Sequence, residues 1–196
     1  MSWGTHHLAV FVLFGAFFAA PLTGCSPIGL AHDVGAIVTE DRSTNQQAAD
    51  VSTKLKVRAA IFDTDRKLFQ AVGTEVYNGQ VLLTGAVTSA DAQAQAVAIA
   101  HKVEGVKSVI NEIQITNEGG LGAFVEDTVA EQKIGAKLLG DREIKSVNYS
   151  VRAVNGTVYL LGVARDKTEL DRAIGHARST EHVRRVISHV KLRGAP

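Results

Sequence analysis

The chain is poor in several things at once. It holds a single cysteine in 196 residues, Cys25, together with three prolines and only 6% aromatic residues. One cysteine excludes an intramolecular disulfide and leaves a cysteine-based zinc site without ligands. Neither sign of charge dominates: 21 Lys and Arg stand against 20 Asp and Glu. No overall charge therefore calls for nucleic acid. Beyond Cys25 no apolar run approaches the roughly 20 residues that a spanning helix needs. Charged side chains are also missing from the start of the chain, since none precedes Asp33. What remains, 45% apolar and 21% charged, is the composition of a folded globular protein.

The uncharged beginning has its own pattern. Residues Leu8 to Ala20 read LAVFVLFGAFFAA. That run is too short to span a bilayer and suits the apolar region of a secretory signal; a buried core helix is the alternative. It ends at Pro21 and is followed by Leu22-Thr23-Gly24-Cys25. Those four residues resemble a bacterial lipobox, which implies cleavage before Cys25 and a diacylglycerol on its sulfur. The segment before the apolar run, MSWGTHH, departs from such signals in having no Lys or Arg. Two acyl chains exceed the single chain that gives only marginal binding, so the mature protein is expected to be anchored rather than spanning. Ser26 follows the cysteine where an Asp favours inner-membrane retention in enterobacterial lipoproteins. The resemblance therefore implies an outer-membrane address, facing the periplasm.

After this the chain is written twice. Residues 78–115 overlie 155–192 at a shift of 77 without a gap, and 11 of the 38 positions are identical. Ordinary composition gives roughly two or three such matches. Asn78-Gly79 falls on Asn155-Gly156, and Val81, Leu83 and Gly85 fall on Val158, Leu160 and Gly162. The expected organisation is a signal peptide over 1–24, a lipidated tether over 25–48, one domain over 49–117, a linker over 118–124 and a second domain over 125–194. Each copy reads as helix, two strands joined at Asn-Gly in a tight turn, helix, strand. The helices are expected over Val51–Phe62 and Ala90–Val103, and over Val125–Leu139 and Lys167–Thr180. The last strands are expected over Val106–Ile115 and Val183–Leu192. The fold class is α+β: two αββαβ units, each a three-stranded mixed sheet with two helices. Domains of about 70 residues bury too little surface to be robust alone, so the copies are expected to touch.

The pattern of apolar helix, strand, N-G-x-V-x-L-x-G, Ala-rich helix and V-x-x-V-I resembles the BON domain of bacterial periplasmic proteins. With the lipobox and a short tether, the chain looks like the DolP-like, dual-BON outer-membrane lipoproteins. Asp41-Arg42-Ser43 and Asp127-Thr128 share in the resemblance. It implies a non-catalytic protein that binds anionic phospholipid, supports outer-membrane integrity, and makes its lipid contact through the first helix of the second copy. That helix carries an aromatic in the family where this chain has Val129.

The residues support a binding surface there independently. At 100° per residue Ala130, Ile134 and Leu138 form one apolar stripe, while Phe124, Val125, Val129, Ala136 and Leu139 fall mostly elsewhere. A sheet covers one stripe; the other must meet lipid, a partner protein or the first copy. Lys133 and Lys137 lie one turn apart between them, suited to phosphate headgroups. Charge also divides between the copies. From Cys25 to Gly119 there are 8 basic and 11 acidic residues, and from Gly120 onward 13 and 9. The last strand places Arg185, His189, Lys191 and Arg193 on one side, read either as a basic face for anionic lipid or as a charged edge strand. The first copy is expected to be mainly scaffold.

Catalytic patterns are lacking. His176, His182 and His189 have no metal-ligand spacing, no Ser/His/Asp arrangement is discernible, and Gly119-Gly120 lacks a following Lys-Ser/Thr. His101 and His176 read as solvent-facing, and Asp63, Asp65, Asp141 and Asp166 as caps and turns. No enzyme activity, cofactor or metal is expected. The leading expectation is a lipid-anchored, phospholipid-binding envelope protein that uses Phe124, Val125, Val129, Lys133 and Lys137. The basic side chains Arg185, Lys191 and Arg193 would assist. The alternative is an outer-membrane-tethered adaptor or chaperone-like module that docks envelope proteins.

Overall fold

The computed structural model describes residues 42–117 and 121–194. The expected signal peptide, the lipobox and Cys25 lie outside the described residues. In the first copy the elements are α1 (Thr44–Thr64), α2 (Arg66–Ala71), β1 (Val72–Tyr77), β2 (Gln80–Val87), α3 (Ala90–His101) and β3 (Ser108–Ile115). In the second they are α4 (Leu121–Gly140), β4 (Tyr149–Val154), β5 (Thr157–Ala164), α5 (Lys167–Arg178) and β6 (Arg185–Leu192), with one 3-10 turn at Ser146–Asn148. Each sheet runs β1-β2-β3 or β4-β5-β6; its first pair is antiparallel and its second parallel. The parallel pair needs a crossover, which α3 and α5 provide.

The repeated motif has a local cause at each position. Asn78 and Asn155 adopt φ of 52° and 48° and the following glycines 76° and 69°, the left-handed pair a tight hairpin requires. One carboxylate from the preceding helix takes both turn amides in each copy. Asp50 accepts from the N–H groups of Asn78 and Gly79 at 2.7 and 2.8 Å. Asp127 accepts from those of Asn155 and Gly156 at 2.6 and 2.8 Å. Gly85 and Gly162 end the motif because an added Cβ would lie 2.0 Å from the carbonyl oxygen of Ala71 and 1.9 Å from that of Asn148.

Alternate residues of each sheet face the helices. Val57, Ile61, Val81 and Leu83 form the first core, and Ile134, Leu138, Val158 and Leu160 the second. Each such fully buried aliphatic side chain stabilises its copy by about 1.5–3 kcal/mol. The opposite faces of the two sheets pack on each other through Tyr77, Leu82, Tyr159 and Leu161, with Ile110 and Ile187 beside them. The copies thus make a layered helix–sheet–sheet–helix body. The charge division enters this contact. Arg152 Nε donates to Glu75 Oε1 at 2.7 Å, and His189 Nε2 lies 2.8 Å from Glu112 Oε1. Both pairs join positions related by the 77-residue shift, as a pseudo-two-fold interface does.

Three expectations need correction. The tether does not extend to residue 48: α1 starts at Thr44, Ser43 caps it by accepting from the Gln46 amide at 3.2 Å, and Arg42 pairs with Asp50 at 2.5 Å. The linker is shorter than 118–124, because α4 already includes Leu121 to Phe124. On β6 Arg185, Lys191 and Arg193 are exposed, but His189 is not outward-facing with them. Ile187 packs into the sheet–sheet contact and His189 faces Glu112. Alternation reads His189 as solvent-facing, but Glu112 of the opposing sheet supplies its partner.

Candidate functional site: the outer face of helix α4

Two faces of α4 differ sharply. Ile134 and Leu138 are 0% and 2% exposed, whereas Val125, Val129 and Leu139 are 51%, 36% and 76% exposed. The inner stripe is covered by β4, α5 and the rest of the second core. Copy one does not cover the outer stripe: Val125, Val129, Ala136 and Leu139 lie within about 80° of one another and all face outward. Phe124, 67% exposed, lies elsewhere, about 140° around the helix from Val129. It stands on the flank toward the first copy. There Phe124, Thr128 and Glu131 form one wall of an open groove of about 890 Å³, and Lys54, Arg58 and Phe69 form the other.

The opposite flank of α4 abuts the connector between α5 and β6. Lys133 Nζ donates to Glu181 Oε2 at 2.7 Å, and that hydrogen bond, with the charge of the lysine, holds the Glu181 carboxyl below its usual range. Both groups are solvent-exposed, so the pair stabilises little and exchanges readily. Lys137 is engaged differently. Its ammonium donates to the Ser179 carbonyl at 3.2 Å and to Thr180 Oγ1 at 2.9 Å, closing the C-terminal end of α5, where a cation is favoured. His182 sits near Glu126 and Glu181 in the same connector, at φ 66°.

The remaining residues singled out from the sequence are dispersed. Lys191 and Arg193 share a shallow cleft with Arg42 of the first copy, far along β6 from Arg185. Arg185 instead joins Arg178 and Arg184 around a hollow of about 380 Å³. Arg178 and Arg184 were not anticipated. A side-by-side reading of the repeats contains them, since their counterparts in copy one are His101 and Lys107. His176 is half-buried rather than solvent-facing, with Nε2 2.8 Å from Asp141 Oδ2. His176, Arg172 and the Glu143 amide hold the Asp141 carboxyl well below the usual range. Among the described residues no group of three His, Cys, Asp or Glu side chains could hold a metal ion, and no helix is long and apolar enough to cross a membrane.

Two stacked α/β units with repeated Asn-Gly turns, Asp-capped hairpins and exposed apolar side chains on the first helix of each, Val51, Leu55 and Phe62 on α1 as well as Val125, Val129 and Leu139 on α4, define the class of protein. The BON domain model matches residues 49–117 and again 126–194, so the chain belongs to the BON domain family and carries two such domains. It is similar to the outer membrane lipoprotein DolP of Haemophilus influenzae, 30% identical over 87% of this chain and 89% of that one. The osmotically-inducible protein Y of Escherichia coli is 28% identical over 89% of this chain and 94% of its own length. An uncharacterized protein in the gshII 5′ region of Anaplasma centrale is 35% identical over 74% of this chain and 95% of its own. The chain is thus a dual-BON, DolP-like protein.

Proposed function

We propose that this protein is a lipid-anchored component of the outer membrane, facing the periplasm, that binds anionic phospholipid through the outer face of α4 and supports envelope integrity. The observation that carries the reading is the uncovered apolar line Val125, Val129, Ala136 and Leu139 on a helix whose opposite stripe is buried. A single helix face of this kind lies in the interfacial plane of a bilayer with cations at its edge. Lys133 is the cation available for headgroups, because its exposed pair with Glu181 is readily exchanged. Lys137, named with it from the sequence, acts mainly by holding α5 against α4. Phe124 meets the bilayer or the groove at the α4 N-terminus rather than the same line as Val129.

The resemblance to an outer membrane lipoprotein supports the anchor, which Cys25 would carry. Mass spectrometry of the exported wild-type chain is expected to find Cys25 as an acylated first residue, and Cys25→Ser is expected to leave uncut precursor. An unmodified thiol in the exported chain would contradict the anchor. For α4, the acyl chains must be absent, since they would carry any protein to any bilayer. The chain beginning at Ser26 is expected to co-sediment with phosphatidylglycerol/phosphatidylethanolamine vesicles, to release as salt rises, and to bind pure phosphatidylcholine weakly. Absence of binding at low salt would favour the adaptor reading, in which the same face docks an envelope protein.

A further inference from the structure

Three arginines of the second copy converge where the first copy has none. Arg178 ends α5, Arg184 precedes β6 and Arg185 opens it, and together with Val183 and Val186 they line one hollow of about 380 Å³. All three are exposed, no carboxylate lines the hollow, and none of the three makes an ion pair with a carboxylate among the described residues. Arg184 is positioned by the hairpin: its Nη2 donates to the Asn155 carbonyl at 2.7 Å, and its amide donates to the Gly156 carbonyl at 2.7 Å. Bringing three guanidinium groups together without an anion is unfavourable in itself. It is the arrangement that suits an oxyanion, which guanidinium groups bind with paired N–H donors.

The duplication supplies an internal control. The equivalent positions in the first copy are His101, Lys107 and Ser108, so the fold does not require arginines there. Lys107 and Arg184 both stand beside the turn glycine of their copy, and this shared position accounts for one cation. Arg178 and Arg185 have no such structural duty. The hollow also has a neighbour that indicates its occupant. The connector from Ser179 to Arg184 that lies between these arginines is the one that touches α4 through Lys133, Lys137 and Glu126. The cationic hollow therefore adjoins the flank of the helix whose outer line is apolar.

We infer that the hollow formed by Arg178, Arg184 and Arg185 is a phosphate site for the headgroup of a membrane phospholipid, occupied when the outer face of α4 lies on the bilayer. The inference rests on the proposed lipid contact of α4 and adds to it a headgroup site on a different element. The test uses the Ser26-onward chain and phosphatidylglycerol/phosphatidylethanolamine vesicles at low salt. Arg178→Gln combined with Arg185→Gln is expected to weaken partitioning about 30-fold, fivefold or so for each surface cation lost, with the melting temperature unchanged. Arg178→Lys combined with Arg185→Lys keeps both charges and is expected to keep most of the binding. Equal loss in the lysine and glutamine chains would mark the arginines as holding the local fold and would overturn the inference. Wild-type binding in the glutamine chain would overturn it while leaving the α4 contact standing; no binding by wild type would remove both. A third arm measures binding of inorganic phosphate to the wild-type and glutamine chains without vesicles. Phosphate binding that is lost in the glutamine chain while its vesicle binding stays at the wild-type level would assign the hollow to free phosphate and contradict the lipid assignment.

Discussion

The two copies share a fold and divide its uses. At the hairpin they are nearly interchangeable: Asp50 and Asp127 take the same pair of turn amides, and Gly85 and Gly162 clear the same carbonyl. On the backs of their sheets they are opposites, with Glu75 and Glu112 facing Arg152 and His189. Two identical copies would place Glu75 against its own equivalent, or Arg152 against its own, like charge against like charge. Duplication followed by opposite charging therefore favours pairing of copy one with copy two over self-pairing of either. Part of the net positive charge of the second copy belongs to this contact rather than to any ligand.

Glu75 offers the most forceful way to break that pairing. Its carboxylate lies between Lys54, whose Nζ donates at 2.9 Å, and Arg152. Glu75→Gln leaves Lys54 facing a neutral amide and Arg152 with only Glu131, 3.2 Å away, as a carboxylate partner. The loss of stability is expected to be about 2–3 kcal/mol by urea denaturation, below the range for fully buried pairs because both cations retain some solvent. An unchanged midpoint would show that the apolar centre, Tyr77, Leu82, Tyr159 and Leu161, carries the contact unaided. The contact also makes isolated copies poor reagents, since separation exposes Leu82, Tyr159 and Leu161, each about 1% exposed in the whole.

Smaller changes sharpen the comparison within each copy. Asp50→Ala and Asp127→Ala each leave two turn amides without their acceptor, at about 1–3 kcal/mol. The first is expected to cost more, because Asp50 also accepts from Gln46 and pairs with Arg42, and Asp127 has no such pair among the described residues. Equal losses would mean that the Arg42 pair contributes nothing. The smallest effect belongs to Asp141, a feature of copy two alone. Its folded pKa is depressed by the hydrogen bonds of His176, Arg172 and the Glu143 amide. Its contribution is therefore complete above the unfolded value of about 4 and is lost as pH falls through the folded one. Asp141→Asn is expected to lower the melting temperature at pH 7, with the gap to wild type closing as pH drops from 5 toward 2. A gap that stays constant over that range would contradict the assignment.

Much of this was legible in the sequence. The Asn-Gly turns, the 77-residue shift and the αββαβ order follow from local patterns that recur on one chain, and local patterns need no knowledge of the partner surface. The inner stripe Ala130, Ile134 and Leu138 was legible for the same reason: helical periodicity selects the buried face. Tertiary pairing was not. His189 reads as outward because alternation cannot reveal that a second sheet lies there, and Arg42 to Asn45 read as tether because Asp50, eight residues away, holds them to the domain. The clustering of Arg178 with Arg184 and Arg185 depends on the turn of the connector between α5 and β6, which no periodicity reports.

The central claim is that the outer face of α4, and not its counterpart on α1, meets the bilayer. The shift of 77 places Ser52 of α1 at the position of Val129. Binding of the unacylated Ser26-onward chain to phosphatidylglycerol/phosphatidylethanolamine vesicles, measured in parallel for wild type, Val129→Glu and Ser52→Glu, tests it most directly. Both substitutions put a carboxylate on an outward position, so both chains are expected to melt within a few degrees of wild type. Val129→Glu should bind at least tenfold more weakly, since an unpaired carboxylate resists transfer from water, and Ser52→Glu should bind like wild type. Equal binding by all three chains, or a loss confined to Ser52→Glu, would contradict the account.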